Sequence, residues 1–315
     1  MELGRLPRGC VLCVGNFDGV HIGHKEILEA AGRTAAEKAT FLVALTFEPH
    51  PVAILHPEKA PGVLTPLELK THLLADLGID YLIVLKDTAS LLRLTPADFI
   101  DKFLIKDIKP LAVVEGDDFH FGAGRKGTID TLKQMAAQNG FDVIVVPAKT
   151  TRLSTGQIVR VSSTTIRYML EAGHVADAAS LLGRQYRLVG KIIQGKGRGK
   201  KLGFPTLNMQ KPIQVIPAEG VYAGFVSLGK SESNVCCAAE NRPAVFSIGQ
   251  AGTFGDDFPL LIEAHVLTGD IGKVTDNWLA MDFVERLRSQ HKFNTPDDLA
   301  RQIAKDCETA KSILR

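Results

Sequence analysis

Five short apolar runs punctuate the first 180 residues: CVLCVG (10–15), FLVALTF (41–47), YLIVL (81–85), LAVVEG (111–116) and DVIVVPA (142–148). Their unbroken Val, Ile and Leu content is that of strands buried on both faces, as in the parallel sheet of an α/β domain. Between them, polar and apolar positions alternate with a helical period over 23–38, 66–77, 96–106 and 128–139. Thr-Pro and Gly-Thr pairs open several of these segments, and Gly78 and Gly140 mark the ends of two. Strand and helix in repeated order predict a Rossmann-like doubly wound sheet, with ligands at the carboxyl ends of its strands.

The pattern changes near Gly183–Tyr186, after the helical EAGHVADAASLLG segment. YRLVGKIIQG (186–195), GVYAGFVSLG (220–229), PAVFSIG (243–249) and LIEAHVLTG (261–269) are strand-like runs bounded by Gly or Pro. Their close spacing predicts a small antiparallel β-barrel. From Thr275 to Arg315 the pattern is helical again, and Thr295-Pro296-Asp297 starts the last helix. The expected division is therefore 1–183 and 184–315, which suits a chain of 315 residues.

Composition narrows the class without naming a chemistry. Hydrophobic residues make up 45% and charged residues 23%, and a net charge of +2 is too small to argue for a nucleic-acid or membrane partner, so neither is expected. No apolar run approaches the ~20 residues needed to cross a bilayer. Five cysteines, an odd number, suit a reducing compartment, so a cytoplasmic location is expected. Cys10 and Cys13 form a C-x-x-C, but three residues apart on a strand they face opposite ways and read as core. The same alternation is applied to Cys236 and Cys237.

Candidate chemistry begins at GNFDGVHIGH (15–24), which joins the first run to the first helix. Such a junction leaves backbone N–H groups unpaired at the helix start, a ready seat for phosphate. His21 and His24 bracket that start and can each donate to a phosphate oxygen, while Gly23 removes a side chain in the way. A metal pair lacks third and fourth ligands at a useful spacing, and a plain turn with satisfied histidines is the bland alternative. H-x-G-H behind a first strand resembles the signature of the nucleotidyltransferase superfamily. A second phosphate-seating element, SSTTIR (162–167), opens another helix, with Ser163 and Thr164 as expected caps and Arg167 able to fork onto phosphates. GAGRKG (122–127) matches G-x-G-x-x-G, but DDFHF stands between the strand and the first glycine, so the dinucleotide fingerprint is rejected.

The second half carries GKGRGKKLGFPTLN (195–208), a basic glycine-rich loop without P-loop spacing. Thr206 and Asn208, two apart, offer oxygen ligands on one face, which suits a Mg²⁺ shared with ATP phosphates. Glu263 lies within the apolar LIEAHVL run, where a carboxylate needs a partner or a site. It is the expected base for phosphoryl transfer, with His265 on the same face as the alternative.

GNFDGVHIGH, TFEPHP, GDDFHFGAGRKG and SSTTIR, followed by GKGRGKKLGFPTLN, GVYAG, IEAHVL and FVERLRSQHKF, occur in this order. Over essentially the full length they resemble the bacterial bifunctional riboflavin kinase/FMN adenylyltransferases, the prokaryotic FAD synthetases. The resemblance implies phosphorylation of riboflavin by Mg-ATP and then adenylylation of FMN to FAD with release of pyrophosphate. For the second step it implies His21, His24 and Arg167 as charge-stabilising groups. Gly15, Asn16, Phe17, Asp18, Gly23, Ser163 and Thr164 then stand around the ATP. For the first step it implies Gly195, Gly197, Gly199 and Gly203 around the nucleotide, Thr206 and Asn208 at Mg²⁺, and Glu263 as base. Asp118 and Arg288 are expected on the flavin side. The chain departs from the family at SIGQAGTF (247–254), where Gly252 stands in place of the usual proline, and at TGDIGKV (268–274), which lacks the usual tyrosine. His120 replaces the usual Arg. The first two changes bear on the kinase half, and an adenylyltransferase with a weakened kinase is the alternative reading.

Overall fold

The computed structural model describes residues 8–86, 89–195, 197–238, 241–250, 260–268 and 277–315. Gly252 and most of TGDIGKV lie outside the described residues. Backbone contacts divide the chain into two units: 1–61, 70–151 and 158–161, and then 62–69, 152–157 and 162–315.

The first unit is built on a parallel sheet of β1 (Val11–Val14), β2 (Leu42–Phe47), β3 (Tyr81–Leu85), β4 (Ala112–Gly116) and β5 (Asp142–Val146), in the order β3-β2-β1-β4-β5. The three central strands are buried almost throughout, as their composition predicts. The outer two, β3 and β5, are partly exposed, although their runs are equally apolar. Composition records how apolar a strand is, and sheet order decides how many neighbours cover it. Leu12, Val43 and Val113 pack on one face and Val11, Ala44 and Ala112 on the other. Helices Ile22–Glu37 and Ile129–Asn139 match their predicted spans closely. Gly140 closes the latter in the left-handed conformation, and Gly78 lies three residues beyond helix Leu67–Ala75. The 96–106 segment continues from a short turn at Pro96–Asp98 into a wider-wound helix, Phe99–Ile108. A small hairpin of β6 (Thr150–Arg152) and β7 (Ile158–Arg160) follows the sheet.

Strand order reverses between β1 and β4, where a doubly wound sheet opens its ligand crevice. The two strands pair only at Val11↔Ala112 and Leu12↔Val113 and then part. The Glu115 carboxyl enters the gap and accepts the Val14 N–H at 2.6 Å. It is 4% exposed, and burial pushes its pKa well above the ordinary carboxylate value.

The second unit holds helices Ser163–Glu171 and Val175–Leu182 and a closed barrel. The barrel comprises β8 (Tyr186–Ile193), β9 (Leu207–Met209), β10 (Gly220–Gly229), β11 (Arg242–Gln250), β12 (Leu260–Val266) and β13 (Trp278–Arg288). Its core centres on Tyr186, Tyr222, Phe246 and Phe283. Residues 278–288 form a strand, correcting the helical reading of that stretch. Leu279 through Phe283 are all buried, so no alternation marks the strand in the sequence. The charge among them, Asp282, is met by a fork from Arg187 at 2.8 and 2.7 Å. Helix Pro296–Ile313 starts as predicted, with Thr295 accepting the Asp298 N–H.

Cys10 and Cys13 pack into opposite faces of the sheet, and burial pushes the Cys10 thiol up to about 11. Cys236 ends helix Glu232–Cys236, so strand alternation does not apply there; it is buried while Cys237 is exposed.

Candidate functional sites

In the first unit, the turn after β1 is sharply wound. Phe17 and Val20 take φ of 45° and 40° and Gly19 takes 88°, conformations that cost non-glycine residues on the order of 1–3 kcal/mol each. The turn delivers His21 to the N-cap of helix Ile22–Glu37. His21 Nδ1 accepts the His24 N–H at 3.1 Å, and His24 Nδ1 accepts the His21 N–H at 3.4 Å. Their rings stack with centroids 3.6 Å apart and planes 10° from parallel. A nitrogen that accepts from the backbone carries no proton, so the neutral rings hold theirs on Nε2. The cap thus sets the tautomer of both histidines as N–H donors. A Cβ on Gly23 would lie 3.2 Å from the His21 ring, so this glycine protects the stack as well as the approach to the helix start. Gly15 does the same beside the Phe17 ring, also at 3.2 Å.

Asn16 faces His50 Nε2 at 3.0 Å. His50 Nδ1 accepts the Val52 N–H at 3.1 Å, which leaves Nε2 as its donor. The Asn16 atom opposite it is accordingly assigned as the carbamoyl oxygen. The amide nitrogen then occupies the buried position that has no partner among the described residues. Asp18 is only 7% exposed. It lies beside Lys70, whose pKa burial lowers while Asp18 and Glu48 oppose that shift. Asp118 stands past β4, where Arg160 bridges it at 2.8 Å and Asp117 at 3.2 Å. His120 Nδ1 bonds the Asp118 carbonyl at 2.7 Å, a backbone role for the residue that departs from the family. The GAGRKG loop closes on itself through a Phe121–Gly127 bridge, with no strand-turn-helix.

In the second unit, Ser162 rather than Ser163 or Thr164 caps helix Ser163–Glu171, accepting the Thr165 N–H at 3.1 Å. Ser163 and Thr164 occupy the first helical turn, where N–H groups lack helical acceptors. Arg167 Nε donates to the Gly62 carbonyl at 2.6 Å, which orients its guanidinium.

On the barrel, Asn208 and Glu263 are register partners across β9 and β12. Thr206 Oγ donates to Glu263 Oε1 at 3.2 Å. Glu263 belongs to the non-core face of β12: Ile262, Ala264 and Val266 point inward, while Glu263 and His265 are half-buried on the other side. The cost expected of a carboxylate inside an apolar run is thereby removed. Gly195 lies against Asn208, where a Cβ would collide with the carboxamide. Gly197 and Gly203 take φ of 68° and 87°, and Gly199 packs against the Phe204 carbonyl. The oxygens of Thr206 and Asn208 fit Mg²⁺, which takes few protein ligands and completes its shell with phosphate and water. Arg288 contributes to none of this. It ends β13 and forks onto Asp306 at 2.8–3.1 Å, tying the barrel to helix Pro296–Ile313.

Sequence reasoning passed over His50, Lys70 and Glu115. Only Glu115 left a signal, an acid within an apolar run; the others act through partners distant along the chain.

Two family models match the chain in succession: FAD synthetase over residues 4–165 and riboflavin kinase over 182–314. Curated relatives named bifunctional riboflavin kinase/FMN adenylyltransferase include that of Escherichia coli (strain K12), 34% identical over 99% of this chain and 96% of the relative. That of Bacillus subtilis (strain 168) is 34% identical over 95% and 91%. A solved structure described as a macrolide-efflux protein from Streptococcus pneumoniae superposes with a TM-score of 0.84 at 27% identity, covering 98% of this chain and 96% of that one. No helix among the described residues is long and apolar enough to cross a membrane. With both catalytic modules present in order and full-length relatives of one name, the chain belongs to the bifunctional riboflavin kinase/FMN adenylyltransferase family.

Proposed function

We propose that residues 1–183 carry the adenylyl transfer and 184–315 the riboflavin phosphorylation, with the following division of labour. In the first, an FMN phosphate oxygen attacks the α-phosphorus of ATP while the bond to the β-phosphate bridging oxygen breaks, giving FAD and pyrophosphate. The reciprocal histidine cap carries this reading. It leaves each ring its Nε2–H as donor at the start of a helix, where a bound triphosphate would also meet backbone N–H groups, ready for the charge that develops there. Gly15, Phe17 and Asp18 shape the turn. Ser163, Thr164 and Arg167 keep the role the resemblance implies, seating the β- and γ-phosphates. Asp118 keeps its place on the flavin side.

In the kinase, Glu263 takes the proton of the riboflavin 5′-hydroxyl as its oxygen attacks the γ-phosphorus and ADP leaves. The Thr206–Glu263 hydrogen bond across from Asn208 supports this assignment. Mg²⁺ held by Thr206 and Asn208 would neutralise phosphate charge. Arg288 is withdrawn from the flavin side because Asp306 engages its guanidinium.

Incubation with riboflavin, ATP and Mg²⁺, and separately with FMN, ATP and Mg²⁺, followed by chromatography of the flavins, tests both halves. FMN and FAD are expected from the first mixture and FAD from the second. FAD from FMN with no product from riboflavin would leave only the adenylyltransferase.

A further inference from the structure

We propose that His265 is a positioning residue of the kinase site, holding the Phe204–Pro205–Thr206 backbone so that the Thr206 hydroxyl meets Glu263. This rests on the reading of Thr206, Asn208 and Glu263 as that site. The β9–β12 ladder pairs Asn208 with Glu263 and Leu207 with Ala264, and stops there. The next register position would set Thr206 against His265, but Pro205 has no N–H with which to extend a ladder. Thr206, the residue whose placement matters most, therefore lies just beyond the part of the strand that backbone bonds hold.

His265 replaces the missing ladder. Its Nδ1 lies 2.8 Å from the Pro205 carbonyl. A carbonyl only accepts, so Nδ1 carries the proton and donates. The ring also meets Phe204 edge-on, with centroids 5.4 Å apart and planes at 80°. Phe204 is fixed in turn by its N–H to the Gly199 carbonyl at 2.9 Å. One imidazole thus clamps the end of the glycine-rich loop from β12, two residues from Glu263 on the same face. On this proposal His265 serves geometry through Nδ1, and the base role stays with Glu263, whose Oε1 already meets the Thr206 hydroxyl.

The test compares His265→Phe, which keeps the ring against Phe204 without a donor, with His265→Asn, whose amide nitrogen replaces Nδ1. Glu263→Gln and Thr206→Ala are run beside them. H265F is expected to raise KM for MgATP in riboflavin phosphorylation by about tenfold, the scale of one lost hydrogen bond. H265N should recover most of that loss with the wild-type pH profile. FMN-to-FAD conversion in the same molecule reports the other module. The fluorescence of the single tryptophan, Trp278 on β13, reports barrel folding, and H265N carries the test should H265F fail to fold. An H265F kinase equal to wild type, beside an inactive E263Q, would overturn the proposal alone. Equal inactivation of H265F and H265N would overturn it in favour of His265 as base. Full kinase activity in both E263Q and T206A would overturn the site reading beneath it.

Discussion

His21 and His24 each accept the other's backbone N–H through Nδ1, and their rings stack 3.6 Å apart over the start of helix Ile22–Glu37. One arrangement therefore closes the helix and aims two donors. The two roles separate by substitution. His21→Asn retains an N-cap oxygen but loses the aimed Nε2–H. Its melting temperature should stay near wild type while FMN-to-FAD turnover falls on the order of 10²–10³-fold, the scale of one lost preorganised donor. His21→Ala should show the same catalytic loss and in addition about 1 kcal/mol of instability in denaturant titration.

Gly23→Ala reverses the usual expectation for a helix. Alanine is favoured over glycine by up to about 1 kcal/mol in a helix interior. Here its Cβ would press on the His21 ring at 3.2 Å. Adenylyl transfer should fall at least tenfold, a barrier raised by ~1.4 kcal/mol, while riboflavin phosphorylation is unchanged. Steady-state rates for both half-reactions check this, and equal losses in the two would refute it.

Glu115 makes the stability of the first unit depend on pH. Its folded pKa is raised, so between the ordinary value of 4.5 and that raised value the folded state binds more protons than the unfolded. Stability therefore falls as pH climbs through that window. Glu115→Gln keeps a carbonyl for the Val14 N–H and does not titrate. Thermal melts from pH 4 to 8 should show its advantage over wild type growing with pH, reaching roughly a few degrees.

Arg288 and Asp306 form a pair whose side chains are 15% and 6% exposed. Removing one partner leaves a buried charge, and Arg288→Met should cost about 3–5 kcal/mol of barrel stability. Asp306→Asn should cost a similar amount, and the double variant less than the sum of the two. A rise in KM for riboflavin without a stability loss in R288M would instead return this arginine to the flavin site.

Gly195→Ala should abolish riboflavin phosphorylation and spare FAD formation from FMN, because its Cβ would displace the Asn208 carboxamide. Kinase assays at saturating FMN-free riboflavin distinguish this from general unfolding, with Trp278 emission as the control.

The local devices of this protein were legible in its residues. Apolar runs of strand length between helical periods announced the α/β unit, and H-x-G-H behind the first run announced a helix start bracketed by two histidines, because turn and cap chemistry act within a few residues. The Pro-Thr-Leu-Asn element likewise showed Thr206 and Asn208 on one face, which follows from the two-residue period of a strand. Tertiary structure decided what depends on distant partners. β13 lost its alternation because both its faces are covered, and β3 and β5 kept apolar composition although sheet order left them at the edges. Asn208 met Glu263 through barrel register, Arg288 was taken by Asp306, and His265 found the Pro205 carbonyl 60 residues away. A sequence pattern records whether one face of an element is buried; which groups meet there is set only when the elements pack.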